Sequence, residues 1–116
     1  MQLLTKAIRT KLEAGYAYVE AKYAAQDSDI NEPIVCKFFN PMGVGTWLVT
    51  QIEPDGNTLW GLADLGFGCV EYGTFSLSEL KSVRRHGLGI ERDLHFDPKG
   101  RKMADFIGKD TINGIL

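Results

Sequence analysis

The stretch Gly45–Phe96, GTWLVTQIEPDGNTLWGLADLGFGCVEYGTFSLSELKSVRRHGLGIERDLHF, decides the fold. Thr46–Glu53 is rich in β-branched and aromatic residues and reads as a strand. Pro54-Asp55-Gly56-Asn57 follows, with Pro at the first corner of a turn and Gly where a positive φ is needed, so Thr58–Asp64 pairs back as a hairpin. Trp60 and Leu62 point one way and Leu59 and Ala63 the other, which makes this strand apolar on both faces and places it inside a sheet. Leu65-Gly66-Phe67-Gly68-Cys69 turns the chain into a fourth strand, Val70–Phe75, and Ser76-Leu77-Ser78-Glu79 fits a capping box that opens a short helix through Val83. Gly87-Leu88-Gly89 releases a last strand, Ile90–Phe96.

Upstream of this stretch, Leu4, Ile8, Leu12 and Val19 recur near helical spacing, with Thr5 as cap, and Gly15 is expected to break or kink the helix. Asp27–Pro33 reads as a loop. Ile34–Phe39 is the first strand, ended by Asn40-Pro41-Met42-Gly43. Downstream, Asp97-Pro98 is a cap followed by Pro at the first helical position, which predicts a C-terminal helix through Met103, Phe106 and Ile107 to Gly108. The fold class is therefore α+β: a mostly antiparallel sheet of four to five strands with an N-terminal helix, a short helix after strand four and a C-terminal helix. Trp47, Trp60, Leu62, Phe75, Leu94 and Phe96 are expected to share one core.

Length and composition agree with this. The 116 residues, 44% hydrophobic and 24% charged, suit one domain over 1–116, of a size that buries roughly two thirds of its unfolded surface. The opening MQLLTKAIRTKLEAG lacks the apolar run of a signal peptide, and nothing approaches the roughly 18 apolar residues of a membrane span, so a cytoplasmic protein is expected. A net charge of -2 makes no global case for nucleic acid. Cys36 and Cys69 show no zinc or redox spacing and read as free thiols, a reactive Cys69 being the alternative.

The ordered motifs GTWLVT, GLADLGFGC, FSLSEL and GLGIERDLHF, with LLTKAIRTKL and the FFNP turn, resemble the bacterial family catalogued as domain of unknown function 2958. The resemblance covers most of the chain and leaves 16–31 and the residues after Lys102 poorly matched. It implies a cytoplasmic accessory of a plasmid or integrating element, encoded near antirestriction and transfer genes. No catalytic residue is carried over by it.

Four constellations remain as candidate sites. Glu91, Asp93, His95 and Asp97 alternate along the last strand and share a face, which is either a solvated surface or a carboxylate–imidazole set able to hold a divalent metal or exchange protons; Asp93, His95 and Asp97 are its best ligands. Arg92 falls on the opposite, apolar side of that strand, and Asp64 shares a face with Trp60 and Leu62, so the two are expected to be partly buried and paired, with Glu79 as Arg92's second choice. Lys81, Arg84, Arg85 and His86, with Lys99, Arg101 and Lys102, form two basic runs that could meet and, beside Tyr72 or Phe75, grip phosphates and stack bases; a solvated surface is the plain account. The GxG at Gly66–Gly68 lacks the third glycine of a dinucleotide loop and reads as a tight corner whose Phe67 is exposed. With no cofactor or metal signature, the sequence points to a non-enzymatic protein that binds another macromolecule, a protein partner first and nucleic acid second, through Phe67, Cys69, Tyr72, Arg84, Arg85 and His86. A metal-assisted hydrolase on the acidic face is the third reading.

Overall fold

The computed structural model describes residues 2–116. Helix α1 (Lys6–Ala24) is followed by strands β1 (Cys36–Phe39), β2 (Thr46–Ile52), β3 (Thr58–Asp64) and β4 (Glu71–Ser76), helix α2 (Leu77–Ser82), the two-residue strands β5 (Arg84–Arg85), β6 (Leu88–Gly89) and β7 (Glu91–Arg92), and a 3-10 turn at Met103–Asp105. Five strands form one antiparallel sheet in the order β4-β3-β2-β1-β7, and β5-β6 is a separate hairpin. The α+β class, the N-terminal helix and the short helix after strand four are as the sequence indicates. Thr5 caps α1 by accepting the Ile8 N–H at 3.1 Å, and Ser76 caps α2 by accepting the Glu79 N–H at 3.2 Å.

The core is two layers, one on each side of the sheet, where one was expected. Trp47, Val49, Ile52, Leu59 and Phe38 pack with Leu4, Leu12, Leu77, Leu80 and Ile90, and Phe75 borders this layer. On the other face Leu48 and Leu62 pack with Ile34, Met103, Phe106 and Ile112, and Phe96 borders that one. Trp60 is half-buried on β3 and outside both clusters, and Leu94 is 64% exposed. The second layer exists because the segment after β7 returns across the sheet, which a period-two reading of β3 hints at and the polar sequence beyond Asp97 does not reveal.

Two further expectations are corrected. Gly15 does not break α1: the helix runs through it, and the missing Cβ lets the helix backbone approach the Thr50 carbonyl, which a Cβ would overlap. At Thr50 the β2–β3 register shifts, and β1 reaches along β2 only to Val49. Beyond that point α1 passes beside β2. Leu12 joins the first layer, while Tyr16, Val19, Glu20 and Tyr23 border Gln51, Trp60 and Tyr72 of the other face. The C-terminal helix is likewise replaced by turns: Asp97 Oδ1 accepts the Lys99 N–H at 3.0 Å, Lys99 and Gly100 take φ of 53° and 71°, and only the 3-10 turn at Met103–Asp105 survives. A left-handed pair directly after Pro98 stops helix propagation.

Candidate functional site

The corner between β3 and β4 is built from Asp64 outward. Asp64 is 1% exposed; its carboxylate accepts the Gly66 and Ile112 N–H groups, each at 2.9 Å, and the Thr111 hydroxyl. Burial pushes its pKa up, but these hydrogen bonds outweigh burial and hold it below the usual carboxylate range. Gly66 and Gly68 take φ of 90° and 83°, the positive values expected of the corner, and a Cβ on Gly66 would sit 2.8 Å from Val44 Cγ1. The corner therefore leans on the Asn40–Gly45 loop, and the two together present Val44 (58% exposed), Leu65 (51%) and Phe67 (83%). Cys69 is exposed beside them, its thiol donating to Glu71 at 3.5 Å, which raises its pKa.

Asp64 does not pair with Arg92. The register links Arg92 to Phe38, Phe38 to Trp47 and Trp47 to Ala63, all on the first face, whereas Asp64 lies opposite Thr46 on the second. Arg92 is half-buried as expected, and it donates to the carbonyls of Gln2 and Leu3.

The acidic residues after Ile90 do not share a strand face either. β7 stops at Arg92, because the Asp93 side chain accepts the His95 N–H at 2.9 Å and turns the chain. Asp93 also meets Lys37 at 3.1 Å, Asp97 is spent on its own turn, and His95 is exposed. Among the described residues no group of three or more His, Cys, Asp or Glu side chains is placed to hold a metal ion.

Arg84, Arg85 and His86 lie exposed on the β5–β6 hairpin, which turns through His86 and Gly87 at φ of 52° and 78°. Positive φ at both central residues is the hairpin turn that matches strand twist. Of the second basic run, Arg101 is held at the other layer: its guanidinium lies 5.4 and 5.5 Å from the Phe96 and Phe106 ring centroids, and it donates to the Asp97, Pro98 and Leu116 carbonyls.

Sequence reasoning missed a buried polar network. Glu32, 6% exposed at the end of the Asp27–Pro33 loop, accepts Thr50 Oγ1 at 2.7 Å, Gln51 Nε2 at 2.5 Å and Tyr72 OH at 2.8 Å. Burial and then the bond to Glu32 push the Tyr72 phenol well above its ordinary pKa. Next to it Trp60 Nε1 donates to Glu53 Oε2 at 2.8 Å, and the Trp60 and Tyr72 rings lie 5.5 Å apart. No local signal marks Glu32; its partners are up to 40 residues away in the chain.

A family model described as a protein of unknown function (DUF2958) matches residues 3–116. No curated protein and no solved structure matches the chain.

Proposed function

The chain belongs to the DUF2958 family of proteins of unknown function, and we propose that it is a non-enzymatic accessory protein of a bacterial mobile element that acts in the cytoplasm by binding another protein through the Val44–Leu65–Phe67 corner. One observation carries the reading: a phenylalanine 83% exposed at the tip of a corner whose backbone is pinned from below by buried Asp64. Aromatic side chains are enriched at protein interfaces, and an anchor held in place before binding loses little entropy on docking. Val44 and Leu65 extend the apolar area around it, and Tyr72 lies on the strand the corner leads into. The mobile-element setting and a role in blunting host defence are supported by the family resemblance.

A photocrosslinking residue in place of Phe67, compared with the same residue at exposed Leu94, tests this in host cells. A discrete protein adduct from position 67 that is missing from position 94 supports the reading, and equal labelling from both positions contradicts it.

Nucleic-acid contact is a second reading, favoured by the exposure of Arg84, Arg85 and His86 together on one hairpin. Three side chains neutralise few phosphates, so such binding would be weak and would vanish at physiological salt.

A further inference from the structure

Between α1 and the sheet, past the crossing at Gly15, lies a cavity of about 230 Å³ whose lining includes Tyr16, Tyr23, Trp60 and Tyr72 together with Glu20 and Glu53. Four aromatic residues from three separate elements, α1, β3 and β4, line one small space. Trp60 and Tyr72 are tilted by 31° to each other, as two adjoining walls. Among the described residues no lysine, arginine or histidine lines this cavity. Its charge is negative, from Glu20 and Glu53 directly and from Glu32 behind Gln51 and Tyr72.

We propose that this cavity binds an alkylammonium cation. Aromatic faces carry negative potential and attract a cation within about 6 Å of their centroids, most strongly when the cation is weakly hydrated, as a methylated ammonium is. The two walls on the sheet are held before any ligand arrives. Tyr72 is tied by its hydroxyl to buried Glu32, and Trp60 by its indole N–H to Glu53. Carboxylates in the lining favour charge over an apolar group of the same shape, and the cavity is smaller than the roughly 300–1,000 Å³ of sites for drug-sized ligands, which suits a head group alone. The head group belongs either to a free small molecule such as choline or to a modified lysine side chain on a polypeptide.

The test is an NMR titration of the full chain with tetramethylammonium chloride at constant ionic strength, read at the Trp60 indole N–H, which Trp60→Phe assigns. A saturable shift is expected, weakened at least about tenfold by Tyr72→Leu and by Glu53→Gln, with the rest of the spectrum preserved. The uncharged isostere 3,3-dimethyl-1-butanol should bind at least about tenfold more weakly than choline. Choline and a trimethyllysine peptide then separate the two sources, the tighter of them identifying which. No saturable shift at Trp60, equal binding of the uncharged isostere, or full binding retained by Glu53→Gln would overturn the proposal.

Discussion

Gly15 of α1 lies against the backbone carbonyl of Thr50, with no room between them for a Cβ. The contact falls where the β2–β3 register shifts, and it is the point at which the helix passes from one face of the sheet to the other. Helix propensity and packing therefore make opposite forecasts for Gly15→Ala. In an exposed helix the change would stabilise by about 1 kcal/mol. Here it should destabilise by about 1–3 kcal/mol, since a backbone atom must move. Urea denaturation of the two proteins decides, and a stabilised variant would show that the helix does not touch β2.

The two-layer core makes a contrast between residues that look alike in sequence. Phe38 and Leu62 are fully buried in different layers, so Phe38→Ala should lose about 3–5 kcal/mol and Leu62→Ala about 2–5 kcal/mol. Leu94→Ala should change stability by no more than about 0.5 kcal/mol, because its side chain is largely in water. A large loss at Leu94 would restore the continuous last strand that the structure replaces with a turn.

Much of this was legible in the chain. The limits of β3 and the caps at Thr5 and Ser76 follow from residues adjacent in sequence, where turn chemistry and capping act over three or four positions. Gly15, Leu94 and Glu32 were not legible, because each depends on something distant: the Thr50 carbonyl, the Asp93 turn that ends β7, and the Thr50, Gln51 and Tyr72 side chains that close around a loop carboxylate. The exposure of Phe67 was readable from its flanking glycines. Its support by Asp64 was not, since Thr111 and Ile112 come from the far end of the chain.

Acid should loosen the corner. Asp64 and Asp93 both have folded-state pKa values below the ordinary carboxylate value. Their contribution is therefore complete above that value, about 3.9, and is lost as the pH falls through the lower folded values. Denaturation midpoints should stay flat from pH 7 to about 5 and drop below about 4, and Asp64→Asn should drop less steeply. An unchanged slope in Asp64→Asn would mean that the carboxylate is not held as described.

The two thiols should react very differently. Cys36 is 4% exposed and burial pushes its pKa up to about 12, so iodoacetamide should not label it in the folded protein. Cys69 is exposed, with its pKa raised first by the bond to Glu71. It should label slowly at neutral pH and faster in Glu71→Gln, as mass spectrometry of the labelled peptides will show. Labelling of Cys36 ahead of Cys69 would contradict the placement of both.

The proposed partner surface is the Phe67 corner and not the basic hairpin. The most direct measurement is the affinity of the crosslinked partner for wild type, Phe67→Ala and the double variant Arg84→Ala/Arg85→Ala, across a range of salt. We expect Phe67→Ala to weaken binding by at least about 2 kcal/mol, roughly thirtyfold, the double variant to leave it unchanged, and salt to have little effect. Binding that survives Phe67→Ala, falls steeply with salt and disappears with the two arginines would contradict the account and assign the function to the hairpin.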